Sequence, residues 1–341
     1  MNIQKDISLK NYNTFQVDVK AKLFVKIESE EDIYELMKDK IWNENKMFIL
    51  GGGANILFKG DYDGLVIKNE IIGKEIIKED EDMVLIKVGA GENWPEWVDR
   101  CVEKNLGGIE NLALIPGSIG ASPIGNIGAY GIEVKDIIYE VEGINLHTGK
   151  KEIFKNTECE FGYRDSIFKN KYKDKLIVTY VTWKLKKVDE RYKFDINYND
   201  IKRKIDEGNI NIANLNVKDI ANMISDIRRS KLPDWKKTGT AGSFFKNPVI
   251  SKNSFQELKS KYDGLMGFDS GDEVKLSAGQ LIEIAGFKGI KIGNVGTYQY
   301  HALVLINEGG TAQEIVDFAG SIQTKVKEMF GVWLEPEVNY V

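Results

Sequence analysis

Short apolar runs separated by polar turns fill the first half of the chain, which is the pattern of β-strands. Two helices interrupt it, one over residues 30–41 with Ser29 as its N-cap and one over residues 94–104. A turn at Thr148 and Gly149 predicts a hairpin. Strands are predicted over residues 23–27, 47–50, 64–68, 83–88, 137–146, 151–154 and 176–185.

The second half is more helical. Residues 189–214 are charged and rich in asparagine, which predicts a linker or a mobile loop. An apolar stripe from Val217 to Ile227 then recurs at helical spacing, and Thr311 with Glu314 forms a capping box that opens a later helix. The pattern therefore predicts an α+β chain with a β-rich first half of two lobes, a linker and a smaller α/β lobe.

Composition narrows the functional classes. The chain has 341 residues and a net charge of −5, so it carries no general attraction for nucleic acid or anionic membranes. It contains only two histidines, which argues against a histidine-centred hydrolase or a histidine-bound metal, and we expect no metal site. The two cysteines lack metal-ligand spacing and favour a reducing compartment. With neither a signal peptide nor a membrane-length apolar run, we expect a cytoplasmic protein.

A first glycine cluster follows the strand predicted over residues 47–50. It consists of Gly51, Gly52, Gly53, Ala54 and Asn55. A dinucleotide-binding Rossmann turn would be followed by an amphipathic helix and a ribose-binding acid, and neither is present. A P-loop motif is absent too. On its own the cluster is compatible with a simple tight turn.

The second cluster, residues 116–131, is less ordinary, because glycines alternate with small and hydroxyl residues and no charge occurs. Such a backbone can approach a ligand closely, and its N–H groups can surround a pyrophosphate. The alternative is a long buried loop that needs positive φ angles. Two such clusters in one half of the chain favour a shared dinucleotide, FAD or NAD. The candidate residues in this segment are Gly117, Ser118, Gly120, Ser122, Gly125, Asn126 and Gly128.

Four strings, in their order and separation, resemble one enzyme family. They are Asn-Leu-Ala-Leu-Ile-Pro-Gly at 111–117, Phe-Gly-Tyr-Arg-Asp-Ser-Ile-Phe-Lys at 161–169, Gly-Ser-Phe-Phe-Lys-Asn-Pro at 242–248 and Trp-Leu-Glu-Pro-Glu-Val at 333–338. The chain resembles the UDP-N-acetylenolpyruvoylglucosamine reductases (UDP-N-acetylmuramate dehydrogenases) over almost its whole length. The long insert before the third domain is similar to the subgroup that closes a tyrosine-bearing loop over its substrate.

The resemblance implies an FAD-binding fold of the vanillyl-alcohol-oxidase type (PCMH type) plus a smaller α/β substrate-binding domain. Residues 1–70, joined by residues 332–341, would form the first FAD-binding lobe and residues 71–215 the second, with residues 216–331 as the substrate domain. It also implies NADPH as co-substrate and non-covalent FAD. Neither histidine lies in the two glycine clusters, which agrees with an untethered flavin.

The implied reaction places a hydride on the enolpyruvyl group of UDP-N-acetylglucosamine enolpyruvate, a step in making peptidoglycan precursors for the cell wall. The resulting enolate-like species must be stabilised and then protonated. By resemblance Arg164 pairs with the substrate carboxylate, since a guanidinium binds it in a bidentate manner. Ser243 would donate the proton. Strand periodicity leaves Glu335 and Glu337 equivalent, and family position selects Glu337 to act with Arg164.

Binding roles also follow from the resemblance. Tyr163 would pack beside Arg164, and Tyr198 would close over the uridine diphosphate. The remaining polar contacts would be Lys231 to the substrate diphosphate, Arg228 to the FAD pyrophosphate and Asn247 to the sugar nucleotide. His301 stands where the family more often has glutamine.

Two other functions fit parts of the sequence. An FAD-dependent sugar or alcohol oxidase would share the fold, but such enzymes usually carry a flavin-tethering histidine. A nucleotide-sugar or flavin-binding protein without turnover would not need the set formed by Arg164, Ser243 and Glu337. The sequence therefore favours a reductase that binds a small sugar nucleotide.

Overall fold

A computed structural model describes residues 1–341. The helices are α1 (Glu30–Lys38), α2 (Lys40–Glu44), α3 (Trp94–Glu103), α4 (Asn199–Glu207), α5 (Val217–Lys231), α6 (Lys252–Lys261), α7 (Ala278–Ile284) and α8 (Ala312–Phe330). The strands are β1 (Gln4–Ser8), β2 (Lys20–Ile27), β3 (Met47–Leu50), β4 (Ile56–Leu57), β5 (Tyr62–Asn69), β6 (Lys74–Glu79), β7 (Met83–Gly89), β8 (Leu106–Gly107), β9 (Gly128–Ala129), β10 (Ile132–Glu133), β11 (Ile138–Asn145), β12 (Lys151–Lys155), β13 (Leu176–Lys187), β14 (Val249–Ser251), β15 (Gly267–Ser270), β16 (Glu273–Leu276), β17 (Lys291–Ile292), β18 (Val295–Tyr298), β19 (His301–Asn307) and β20 (Asn339–Tyr340).

The chain divides into two compact units. Unit 1 contains residues 1–7, 21–52 and 63–228, and unit 2 contains residues 8–20, 53–62 and 229–341. Neither unit is a continuous piece of the sequence. No helix is long and apolar enough to cross a membrane.

The first sheet of unit 1 has the strand order β1-β2-β5-β3. Helix α1 begins at the predicted N-cap, where the Ser29 side chain accepts from the N–H of Asp32 and Asp32 bonds back in a capping box. The predicted 30–41 helix is interrupted at Asp39, whose extended backbone ends α1 and whose side chain caps α2. Apolar residues of this sheet pack with Ile33 and Leu36 of α1 in one buried cluster.

The second sheet of unit 1 has the order β12-β11-β13-β7-β6, with β8 paired to the far end of β13. Its core contains Trp94, Trp97 and Trp183, all almost fully buried. The apolar stripe of α5 lies in this same core through Ile220, Ile224 and Ile227 rather than in a substrate domain. Unit 1 ends at Arg228, whereas the sequence predicts a domain boundary at residue 215.

An ion-pair network joins the second sheet of unit 1 to helix α1. The carboxylate of Glu142 on β11 lies 2.6 Å from the Lys87 Nζ and 2.8 Å from the Lys151 Nζ. Lys151 also pairs with Glu30 of α1 at 2.9 Å. Burial by itself would raise the pKa of the Glu142 carboxyl, but the hydrogen bonds and charges of Lys151 and Lys87 outweigh it and keep the pKa below its ordinary value.

Unit 2 has three small sheets. Strands β14-β16-β15 form the first and β17-β18-β19 the second, and β20 pairs in parallel with β4. The returning C-terminal strand thus does meet residues within 1–70, but β4 and β20 both belong to unit 2 rather than to a first lobe. The predicted capping box of Thr311 and Glu314 opens α8, and Gly331 ends it in the left-handed conformation at φ +70°.

Candidate active site

In unit 1 the two glycine clusters meet. A Cβ atom on Gly52 would lie 2.6 Å from the backbone of Gly117, and one on Gly51 would lie 2.7 Å from the Ser118 Oγ. The Ser118 Oγ accepts a 3.1 Å hydrogen bond from the Gly52 N–H. Glycines are required here because the two backbones touch.

Within residues 116–131 the glycines serve two different purposes. A Cβ on Gly117 or Gly125 would meet no atom within 4 Å, so their backbone borders open space. A Cβ on Gly120 would lie 2.5 Å from that of Ala90, and one on Gly128 would lie 2.8 Å from the Ile132 carbonyl oxygen. Bare, uncharged backbone at Gly117 and Gly125 fits a dinucleotide pyrophosphate, whereas Gly120 and Gly128 are required by packing within the protein.

Two polar side chains of the segment are engaged inside the protein. The Ser122 Oγ donates to the carbonyl of Ile119 at 2.7 Å. The amide of Asn126, fully buried, donates to the Glu133 carboxylate at 3.0 Å and to the Gly162 carbonyl at 2.9 Å. Its Oδ1 accepts from the Lys135 N–H at 3.1 Å. The side chains of Ser122 and Asn126 therefore shape the loop, and only their backbone remains as a direct ligand for a cofactor.

Arg164 lies at the corner of a tight turn in which Gly162 and Asp165 exchange both backbone hydrogen bonds. Its backbone is left-handed, φ +54°, a conformation that costs energy for a residue other than glycine and is often found at functional sites. The Arg164 Nη2 donates to the Gly128 carbonyl at 3.3 Å, and the Ser166 Oγ donates to the Ile124 carbonyl at 2.7 Å. The predicted carboxylate-binding arginine is thus fixed directly onto the second glycine cluster.

Two predicted ligand-binding residues, Tyr198 and Arg228, lie against Tyr130, a further residue of this cluster for which the sequence predicts no role. The Tyr198 ring packs edge-on against the Tyr130 ring with centroids 5.2 Å apart. The Arg228 Nε donates to the Leu114 carbonyl at 3.2 Å, and Arg228 also hydrogen-bonds with Tyr130. Burial raises the pKa of Tyr130, and it lowers that of Arg228, which stays cationic.

Tyr163 is 54% exposed, with the Arg164 guanidinium 5.9 Å from its ring centroid. A sequence signal for Tyr130 does exist, because it is the one aromatic residue in the uncharged, glycine-rich run of residues 116–131.

In unit 2 the end of the first glycine cluster meets the C-terminal segment. Gly53 has φ +64°, and a Cβ there would lie 2.1 Å from the Tyr12 carbonyl oxygen. The Asn55 Nδ2 donates to the Glu337 carbonyl at 3.3 Å, and the Asn339 N–H donates to the Asn55 carbonyl at 3.1 Å. Ala54, between Gly53 and Asn55, is partly buried. Asn55 thus supports the backbone of the candidate acid Glu337.

Ser243 follows Gly242, whose backbone is left-handed at φ +74°. Ser243 forms a β-bridge with Val304, and the next residue, Phe244, donates its N–H to the Leu303 carbonyl at 2.9 Å. The rings of Phe244 and Phe245 are fully buried. These contacts fix the Ser243 backbone on both sides and leave its side chain partly accessible.

Glu335 and Glu337 do not lie in a regular strand, since the chain bends at Glu337, although Pro336 between them bridges to Phe245. The Glu335 side chain forms an exposed ion pair with Lys246 at 3.1 Å. The Glu337 N–H donates to the Phe244 carbonyl at 2.8 Å, which fixes Glu337 beside the residue that follows Ser243. The structure therefore distinguishes two acids that strand periodicity left equivalent.

The other unit 2 candidates lie at or near the ends of helices and strands. The Asn247 Oδ1 accepts from the Ala278 N–H at 2.9 Å, at the start of α7. Lys231 is the last residue of α5, and His301 opens β19 opposite Tyr298. The candidates that belong to unit 1 instead are Tyr163, Arg164, Tyr198 and Arg228.

Two family models match the chain. One describes an FAD binding domain and matches residues 21–152. The other describes the C-terminal domain of UDP-N-acetylenolpyruvoylglucosamine reductase and matches residues 234–341. The two matches fall on the two glycine clusters and on the segment that contains Ser243 and Glu337.

Whole-length relatives carry the same description. A UDP-N-acetylenolpyruvoylglucosamine reductase of Flavobacterium johnsoniae is 46% identical over 344 residues, covering 100% of both chains. One of Bdellovibrio bacteriovorus is 40% identical over 338 residues, covering 99% of each. The solved UDP-N-acetylenolpyruvylglucosamine reductase of Thermus caldophilus matches at a TM-score of 0.68 and 22% identity, covering 100% of this chain and 99% of that one. The predicted FAD-binding fold of mixed α and β content is confirmed.

Proposed function

The chain belongs to the UDP-N-acetylenolpyruvoylglucosamine reductase family, and we propose that it reduces UDP-N-acetylglucosamine enolpyruvate to UDP-N-acetylmuramate with NADPH as co-substrate. It is an FAD-dependent oxidoreductase of peptidoglycan synthesis, as its whole-length relatives indicate. The substrate is a sugar nucleotide. A cytoplasmic location suits a pathway that starts from NADPH and a nucleotide sugar.

The FAD would be held by the bare backbone of Gly117 and Gly125, by the contact of Gly51 and Gly52 with Ser118, and by the charge of Arg228. Bound FAD supplies the hydride chemistry that no side chain of this protein can supply. The proposal of non-covalent binding is supported by the sequence, because neither glycine cluster contains a histidine.

Arg164 is proposed to bind the substrate carboxylate. Once hydride has reached the enolpyruvyl carbon, negative charge is shared between the adjacent carbon and the carboxylate, and a fixed guanidinium stabilises that charge. The hydrogen bond of Arg164 to the Gly128 carbonyl and the docked turn around it hold the side chain in place before substrate arrives. This pre-organisation lowers the cost of binding the charged species.

Ser243 is proposed to deliver the proton that completes the reduction. Its hydroxyl is a weak acid, but the acceptor is a carbanion-like carbon, to which proton transfer is strongly downhill. Glu337 would act with Arg164 on the same species, and its backbone is fixed by Phe244 and Asn55. Overall, one hydride and one proton add across the carbon–carbon double bond, and NADPH is oxidised.

The other candidates are proposed as binding residues. Tyr198 and Lys231 would contact the uridine diphosphate, Asn247 the sugar nucleotide and Tyr163 the region beside Arg164. The Asn247 amide nitrogen would donate to the ligand, while its Oδ1 accepts from the Ala278 N–H.

The observation that carries this proposal is the left-handed, doubly docked turn that places Arg164 on the glycine-rich segment of an FAD-binding fold. Anaerobic spectroscopy of the purified protein tests it. NADPH should bleach the flavin, and the enolpyruvyl sugar nucleotide should restore its colour and yield a product heavier by two hydrogens. A flavin that oxygen reoxidises but the sugar nucleotide does not would overturn the proposal in favour of an oxidase.

A further inference from the structure

Residues 188–198, which we call the strap, precede α4 and end at Tyr198. The strap begins with a two-way contact, since the Val188 N–H donates to the Asn105 carbonyl at 3.2 Å and the Asn105 Nδ2 donates to the Val188 carbonyl at 3.0 Å. The composition of this region predicts a linker or a mobile loop. The structure instead shows it attached along its length to residues 105–111 and 130–131.

The strongest attachment is made by Tyr192. Its hydroxyl donates to the Glu110 Oε1 at 2.7 Å, and the Glu110 Oε2 accepts from the Gly108 N–H at 2.6 Å. Glu110 is only 2% exposed. Hydrogen bonds to a buried carboxyl group are among the stronger ones in proteins, because removing a partner leaves a buried oxygen unsatisfied.

Gly107 makes room for this tyrosine. A Cβ atom on Gly107 would lie 2.5 Å from the Tyr192 Cζ and 2.7 Å from its hydroxyl oxygen. The φ angle of Gly107 is not in the left-handed region, so lack of space and not backbone conformation excludes a side chain. The ring of Phe194 packs edge-on against that of Tyr192, with centroids 5.0 Å apart.

The distal part of the strap is attached to the second glycine cluster. The Asn111 Nδ2 donates to the carbonyls of both Asp195 and Tyr130 at 2.9 Å, so one buried amide joins the strap to the cluster. Beyond Asp195, the Tyr198 ring packs on the Tyr130 ring. The strap therefore ends on the segment that contains the bare backbone of the candidate FAD site.

We propose that Tyr192 and Glu110 are positioning residues, which fasten the strap so that Tyr198 is held in place to receive the diphosphate of the sugar nucleotide. The inference rests on the proposed function of Tyr198 as a substrate contact. Without the anchor, the segment up to Tyr198 loses its strongest attachment, and substrate binding must bear the cost of ordering it. Reduction of the flavin by NADPH does not need the strap.

Tyr192→Phe tests the hydroxyl, and Gly107→Ala tests the same anchor independently by displacing the ring. Arg191→Gln is the matched control, because Arg191 is the adjacent residue and pairs only with the exposed carboxylates of Asp82 and Asp189. Each variant is purified with its FAD. The measurements are flavin content, the rate of flavin bleaching by NADPH, KM and kcat for the sugar nucleotide, and hydrogen exchange over residues 190–200.

Both anchor variants should raise KM about tenfold or more, the effect of losing one hydrogen bond to a buried carboxyl. Flavin content, bleaching rate and kcat should stay near those of the parent, and exchange over residues 190–200 should become faster. Arg191→Gln should match the parent in every measurement. Unchanged exchange and KM in Tyr192→Phe would overturn the proposal, as would loss of FAD, since the tyrosine would then support the cofactor site.

Failure of the proposed function gives a different result. A parent protein that is not bleached by NADPH, or not reoxidised by the sugar nucleotide, refutes the reductase. In that case faster exchange in the two anchor variants still supports the anchor, and unchanged exchange still refutes it.

Discussion

Ser243→Ala separates the two halves of the proposed reaction. The substitution removes a single oxygen atom from a residue whose backbone is held by the bridge to Val304 and by the hydrogen bond between Phe244 and Leu303. The two neighbouring phenylalanine rings remain buried. We therefore expect the fold and the thermal stability to be nearly unchanged.

The magnitude follows from the role of the hydroxyl. Loss of a positioned general acid typically slows a reaction by about 10²–10⁴-fold. At roughly 1.4 kcal/mol per factor of ten, that corresponds to a barrier about 3 to 5 kcal/mol higher. The whole increase should fall on the step that consumes the sugar nucleotide, because taking hydride from NADPH requires no proton from Ser243.

Stopped-flow absorbance under anaerobic conditions measures the two halves separately. Bleaching by NADPH should proceed at close to the parent rate, and the return of colour on adding the sugar nucleotide should be slower by the factor above. Ser251→Ala serves as a control, since the Ser251 hydroxyl caps α6 through the Ser254 N–H at 3.1 Å and otherwise bonds with the Ser254 hydroxyl at 2.9 Å. That variant should lose about 1 kcal/mol of stability and keep both rates.

Two outcomes would refute the reasoning. A Ser243→Ala enzyme that reoxidises at the parent rate shows that another group delivers the proton. A variant in which bleaching by NADPH is slowed and reoxidation is intact shows that Ser243 shapes the turn instead.

Three further predictions follow from the structure. Gly125→Val should give a folded protein that binds FAD at least tenfold more weakly, measured by flavin fluorescence, because its side chain would enter open space at the candidate site; parent-like affinity would refute that placement. The lowered pKa of Glu142 means that its contribution to stability is present above pH 4.5 and is lost as pH falls through the lower folded-state pKa. Glu142→Gln should therefore destabilise the protein by up to about 3 kcal/mol at neutral pH. Its Tm should also fall less steeply than that of the parent as the pH is lowered into the acid range. An unchanged dependence of Tm on acid pH would contradict the stabilising role of the ion-pair network. Tyr198→Phe should raise KM for the sugar nucleotide and leave the rate of flavin bleaching unchanged, whereas slower bleaching would count against its role as a substrate contact.

Much of the fold was predictable because its signals are local. The strand that ends at Leu50, the cap at Ser29 and the capping box at Thr311 each depend on a few adjacent residues, and all are present in the structure. Helix α4 was not predicted, because only Ile201 and Ile205 are buried in a stretch of charged residues that suggests a linker. A pattern with two apolar positions falls below what periodicity can detect.

The candidate site was likewise predictable only where its sequence signals are local. Sequence motifs identified the two glycine clusters, but not which glycines are bare and which are packed. That distinction at Gly117 and Gly120 depends on Ala90, which is thirty residues from Gly120 in the sequence and fills the space beside it. Likewise, α5 belongs to unit 1 because it packs on the core of the second sheet, and the sequence of α5 does not reveal which core it will join. Strand periodicity also left Glu335 and Glu337 equivalent, and it could not show that Glu335 pairs with Lys246.

The discontinuous composition of unit 2 has a consequence for biosynthesis. Every residue of unit 1 has been made once residue 228 is added, whereas residues 8–20 and 53–62 belong with residues 229–341. Strand β4 pairs only with β20, and the ring of Phe15 packs on that of Phe244. At about 5–20 residues per second, these early segments remain without their partners for roughly ten seconds to a minute. During that interval Phe15, Leu57 and Phe58, all buried in the finished protein, are exposed to chaperones and to aggregation.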